Sequence, residues 1–151
     1  MNKTDLIWEH ENREEHKRRL KDAKYICDDY IGAKLRVKRY PKRRPTFFKQ
    51  MKINLDNYAE TGFVDYDEDL VKQLDPDDAL FLMEYVEDMF NVWIVEHVIA
   101  DARSEITKQI AEDTIFHGKK CSDLEKKYGL KTRAIQARKR SIIETIADII
   151  P

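Results

Sequence analysis

The sequence predicts an all-α protein, a helical N-terminal part followed by a C-terminal helix-turn-helix. Three observations carry this expectation. The 151 residues include only four Gly and four Pro, too few for a succession of hairpins. The one stretch of apolar-polar alternation, Lys34-Leu35-Arg36-Val37-Lys38, is short and runs into Pro41. Elsewhere apolar residues recur in steps of three and four, the signature of helix faces.

The first helix is expected from about Thr4 to Ile31. Leu20, Ala23, Cys27 and Tyr30 or Ile31 share one face, and Gly32 is a plausible stop. Its middle, Glu9 to Arg19, is polar all round and should project into solvent. Pro41 and Pro45 disfavour a continuous helix through the next segment. Thr46 can cap a short helix carrying Phe47, Phe48, Met51, Leu55 and Tyr58, ended by Gly62. The acidic stretch Phe63 to Leu74 reads as loop plus a turn of helix. Asp75-Pro76 is a strong helix start, with Asp75 as cap, Pro76 at the first helical position and Asp77 and Asp78 at the positive end of the dipole. Ala79, Met83, Val86, Phe90, Trp93, His97 and Ala100 then form the expected buried seam, widened by Leu80, Leu82, Ile94 and Val98. His97 on that seam reads as a core histidine. Helical spacing continues through Ile106, Ile110 and Thr114 to His117-Gly118, as one long helix or two. This divides the chain into residues 1–105, with a basic arm at 33–52, and residues 106–151.

Formal net charge is only -1, but the charge is segregated. Residues 33–52 hold nine bases and no acid, residues 53–104 fourteen acids against Lys72 and Arg103, and residues 118–140 nine bases against Asp123 and Glu125. Phosphates respond to the local patch rather than to the total, so a near-neutral chain can still bind nucleic acid. The arm at 33–52 is either a second phosphate-binding surface, with Tyr40, Phe47 and Phe48 available for stacking, or a segment docked on the chain's own acidic middle. The acidic stretch 56–88 is either a contact for a basic partner or a solvated helix face.

The most informative stretch runs from Gly118 to Arg140. Ser122 and Glu125 have capping-box spacing and open a helix that can reach only Tyr128. Gly129 supplies the left-handed residue that ends it. Leu130 follows as a buried plug, and Thr132 can cap a second helix with Ile135, Ile142, Ile146 and Ile149 or Ile150 on one face. Two helices joined by a tight Gly-containing turn are the helix-turn-helix arrangement, whose second helix enters the DNA major groove by its N-terminal part. Its exposed face would carry Lys131, Thr132, Arg133, Gln136, Ala137 and Arg140 for base edges: Arg for guanine, Gln for adenine, Ala or the Thr methyl for the thymine methyl. Lys119, Lys120, Lys126, Lys127, Arg138 and Lys139 are candidates for phosphates, giving affinity without sequence information.

With Leu124, Gly129, Leu130, Ile135 and Arg138 in these places, residues 106–146 resemble the helix-turn-helix of sigma-factor region 4. Glu125 departs from that pattern, where many members carry a small Ala, and so does Lys139, where Leu is usual. In size and layout the whole chain also resembles small phage late-gene transcription regulators of the ArpU and RinA groups. The resemblance implies a transcription regulator that binds double-stranded DNA and acts with RNA polymerase. The apolar C-terminal run from Ile142 to Ile150 suggests a homodimer as one option.

Other chemistry finds little support. His10-Glu11 and His16 miss zinc-protease spacing, and Cys27, His117 and Cys121 lack zinc-ligand spacing. Asp65, Asp67 and Asp69 begin like a calcium loop, but Leu70 and Pro76 stand where Gly and the closing Glu belong. No catalytic motif or cofactor loop is present, so the expectation is a non-enzyme without cofactor or metal. Two unpaired Cys, no secretory leader and no membrane-spanning stretch point to the cytoplasm. A DNA-packaging or recombination accessory protein, such as a small terminase subunit, and a protein-interaction module without DNA binding are the two alternative classes.

Overall fold

The computed structural model describes residues 2–151 and is all-α. Among these residues the only extended pairing is one antiparallel bridge, Asn54 with Asp65. Among the described residues no helix is long and apolar enough to cross a membrane. The helices are α1 (Lys3–Asp28), α2 (Tyr30–Arg43), α3 (Pro45–Gln50), α4 (Tyr58–Thr61), α5 (Glu68–Val71), α6 (Pro76–Ala100), α7 (Glu105–Ala111), α8 (Glu125–Tyr128) and α9 (Thr132–Ile149). They form two compact units. One joins the residues up to Asp29 with Val98–Pro151, and the other is Tyr30–His97. The expected division at 105/106 does not follow these units, because α1 belongs with the C-terminal segment.

In the Tyr30–His97 unit the basic segment is helical where the prolines and Gly32 argued against it. Gly32 and Pro41 both lie inside α2. Pro41 falls in the last turn, so α2 forfeits one helical hydrogen bond, the one to Val37 O, shortly before it ends at Arg43. Tertiary contacts outweigh the local preference. Val37 and Tyr40 pack against the cluster of Val64, Tyr85 and Met89. The Arg36 guanidinium grips the buried Asp88 by two bonds, at 2.8 and 3.0 Å, and the Tyr40 hydroxyl donates to the same carboxylate. Lys34 pairs with Glu96 and Arg44 with Asp78, each at 2.6 Å. The arm thus docks on the acidic face of α6, the second of the two readings the charge pattern allowed. Tyr40, Phe47 and Phe48 pack edge-on against Phe81 or Tyr85 within the core. Thr46 is not a cap. Pro45 takes the first position of α3, after Arg44.

α6 begins as expected, with the Asp75 carboxylate accepting the Asp78 N–H at 2.8 Å. Its rotation does not follow the expected seam. The buried residues are Leu82, Tyr85, Met89, Val92, Ile94, Val95, Val98 and Ile99, whereas Met83 is 66% exposed and His97 and Ala100 are exposed. α6 carries apolar residues all round, so its sequence leaves the rotation open by about one residue, or ~100°. His97 is therefore not a core histidine. It closes a ladder of stacked rings, Phe63, Phe90, Trp93 and His97, with successive centroids 5.4, 6.0 and 4.7 Å apart.

Trp93 also fastens the end of α4. Its indole N–H donates to Ala59 O at 3.0 Å, and its ring lies over Gly62, which ends α4 in the left-handed conformation (φ 75°). A Cβ on Gly62 would meet the Trp93 ring at 2.6 Å. Gly62→Ala is expected to combine backbone strain with this clash and to cost about 2–3 kcal/mol. Urea unfolding measures it; an unchanged midpoint would mean that Trp93 is not seated on α4.

In the other unit, α1 packs along α9 through Ala23 and Cys27, with Leu20 half-buried beside them. Burial pushes the Cys27 thiol up to about 12, so it stays protonated at neutral pH. From Glu11 to Arg18 every residue of α1 is exposed, as the all-polar sequence requires. α6 and α7 are separate helices, and Ser104 caps α7 by accepting the Thr107 N–H at 3.3 Å. The C-terminal run from Ile142 is largely used within the chain, with Ile142, Ile146 and Ile150 buried and only Ile149 well exposed.

Candidate nucleic-acid interface

Ile110 of α7, Leu124 just before α8 and Ile135 of α9 form one dry cluster, with Cys121, Tyr128 and Leu130 partly buried around it. Leu130 is thus the expected plug. Gly129 ends α8 at φ 64° and is the left-handed residue that the turn requires. A 3₁₀ turn, Cys121–Leu124, precedes α8, so Ser122 does not open it through a capping box. Glu125 has a different role. Its carboxylate accepts the backbone N–H of Thr132, across the turn, at 3.0 Å. Thr132 is therefore the first residue of α9 and not its cap, which is Lys131. An acid at that end favours the helix through its free N–H groups and dipole. An Ala at this position could not bridge the turn.

Ile135 is wholly buried, and this fixes the rotation of α9. Arg133, Gln136, Ala137 and Arg140 are exposed, as is Lys131 just before the helix, and Thr132 is half-buried. The six candidate base-reading positions thus lie together at the head of α9. Arg140 is engaged by Glu144, one turn on, at 3.2 Å.

The six candidate phosphate contacts divide. Lys120 and Lys126 are exposed and, among the described residues, form no ion pair. Lys119 and Lys127 approach Asp113, at 3.7 and 2.7 Å. Arg138 bonds Ser104 Oγ and Thr107 Oγ1 at 3.2 and 3.1 Å, tying α9 to the start of α7. It is a positioning residue here. Lys139 is half-buried and lies near Cys27 of α1, away from the exposed face.

Asp113 is the site residue that sequence reasoning missed. It is 6% exposed and sits in a π-helical turn, residues 112–116, that follows α7. Lys127 Nζ and the Tyr128 hydroxyl both donate to its Oδ2. Its backbone carbonyl accepts the Lys119 N–H at 3.0 Å. The available signal was an acid three residues after Ile110, at a position the helical spacing marks as buried. Burial alone would push this carboxyl up. The hydrogen bonds from Lys127 and Tyr128, with the charges of Lys127 and Lys119, outweigh it and hold Asp113 below the usual carboxylate range. Among the described residues no cluster of His, Cys, Asp or Glu could hold a metal.

Comparison with protein-family models, curated proteins and solved structures finds no match for this chain.

A carboxyl with a depressed folded-state pKa stabilises the fold above its unfolded pKa, and the gain is lost as pH falls through the folded value. Asp113→Asn is therefore expected to cost about 1–2 kcal/mol at neutral pH, with the gap to wild type closing in acid. Urea midpoints across the acid range test this. A gap that widens as pH falls would contradict the assignment.

Proposed function

We propose that this protein is a sequence-specific double-stranded DNA-binding transcription regulator that inserts the head of α9 into the major groove. One observation carries the reading: Arg133, Gln136, Ala137 and Arg140 share a side of α9 turned away from the buried Ile135, with Lys131 exposed just before the helix. Arg133 and Gln136 have the donor and acceptor geometry to read guanine and adenine edges. Lys120 and Lys126 flank the turn as unneutralised cations and supply phosphate attraction. Lys127 presents its charge from a fixed position, since it donates to Asp113 at 2.7 Å. The helix, left-handed Gly, apolar plug and second helix together support the likeness to sigma-factor region 4, and with it a cytoplasmic regulator acting beside RNA polymerase.

The base-reading and phosphate roles separate experimentally. Arg133→Ala and Gln136→Ala should each lower affinity for the selected site by about 1–3 kcal/mol and relax the preferred base at one position. Lys126→Ala should weaken binding to all duplexes alike. Selection from a random duplex library, followed by titration, provides the readout. Undiminished affinity and preference in both α9 variants would remove α9 from the role of reader.

A further inference from the structure

We propose that α1 pairs antiparallel with α1 of a second copy of this chain, through the side that faces away from α9. The sequence Ile7, Glu11, Glu14, Arg18, Lys21, Tyr25 steps along α1 by four, three, four, three and four residues. That spacing keeps all six on one stripe, over about 27 Å of helix. Every one of them is exposed, Ile7 by 58% and Tyr25 by 66%. The buried Ala23 and Cys27, which pack towards α9, lie on the opposite side of the helix.

The charges on this stripe are antisymmetric. Its first half is acidic, its second half basic, and each end is apolar. Antiparallel pairing sets Ile7 against the second copy's Tyr25, Glu11 against its Lys21 and Glu14 against its Arg18. The two-fold axis repeats all three contacts. Parallel pairing would oppose like charges along the whole stripe, so the pattern itself selects the orientation. Leu6 and Trp8, 52% and 64% exposed, flank the Ile7 end and enlarge the apolar contact there.

A lone helix explains the stripe less well. Within α1 the pairs Glu14–Lys17, Glu15–Arg18 and Glu15–Arg19 are solvent-exposed contacts at 3.4, 3.9 and 3.1 Å, a kind that contributes little. A polar, projecting helical extension gains most of its stability from packing. Dipole compensation accounts for acid early and base late, but not for exposed Ile7 and Tyr25 at the two ends of the same stripe.

The test uses the full chain and molecular mass, with no DNA present, so its outcome is independent of the reading of α9. Wild type is expected to sediment as a dimer at low salt and to dissociate towards monomer at high salt. Glu11→Lys with Glu14→Lys makes the stripe wholly basic; Arg18→Glu with Lys21→Glu makes it wholly acidic. Each double variant alone should be monomeric, and an equimolar mixture should form a one-to-one heterodimer, because every facing pair is then opposite in sign. Recovery in the mixture shows that neither variant failed by misfolding. A monomeric wild type at tens of micromolar would overturn the proposal, as would dimers of both double variants.

Discussion

The orientation of the candidate DNA-reading helix depends on one dry contact, among Ile110, Leu124 and Ile135. These residues come from three successive segments, and none can turn outward without exposing apolar surface. Each buried aliphatic side chain is worth about 1.5–3 kcal/mol, more than any exposed ion pair nearby can contribute. With Ile135 inward, helical periodicity sends Arg133, Ala137 and Arg140 outward. The surrounding polar bonds then fix finer details. Glu125 reaches across the turn to start α9, Arg138 ties α9 to the beginning of α7, and Asp113 gathers Lys127 and Tyr128. The apolar contact sets the rotation, and the polar contacts set the register of the charges.

The Tyr30–His97 unit solves a different problem with the same means. Its basic helix α2 would repel itself in isolation, and α6 opposes it with Asp78, Asp88 and Glu96. Arg36 and Asp88 make the most buried of these pairs, and the bidentate geometry with a third bond from Tyr40 satisfies the carboxylate. Part of what looks in the sequence like a nucleic-acid patch is therefore spent inside the unit. Lys38, Arg39, Lys42 and Arg43 remain exposed along the rest of α2.

Local signals with a steric cause were legible in the sequence. Gly129 adopts the left-handed conformation expected of it, Gly62 ends a helix as expected, and Asp75-Pro76 opens α6. The grouping of exposed residues on α9 followed from the isoleucine spacing. Signals that depend on distant partners were not legible. Pro41 and Gly32 broke no helix, because packing on Tyr85 and Met89 outweighed them. The seam of α6 was misplaced because an all-round apolar helix has no face to declare. Capping roles went to neighbours: Glu125 took the part assigned to Thr132, and Ser104 capped a helix that spacing alone did not separate from α6. Asp113 was passed over since an acid beside Glu112 gives no sign of the lysine and tyrosine that hold it.

We propose that phosphate attraction resides around α8 and the start of α9 rather than on α2. The salt dependence of random-duplex binding tests it most directly, in wild type and in two fourfold alanine variants. One removes Lys120, Lys126, Lys131 and Arg133, which carry no ion pair among the described residues; the other removes Lys38, Arg39, Lys42 and Arg43. Fluorescence anisotropy should show wild-type affinity falling steeply with salt, with the slope reduced by about 2, through Lys120 and Lys126, in the first variant and kept in the second. A slope preserved in the first variant and lost in the second would contradict the account and move the DNA site to α2.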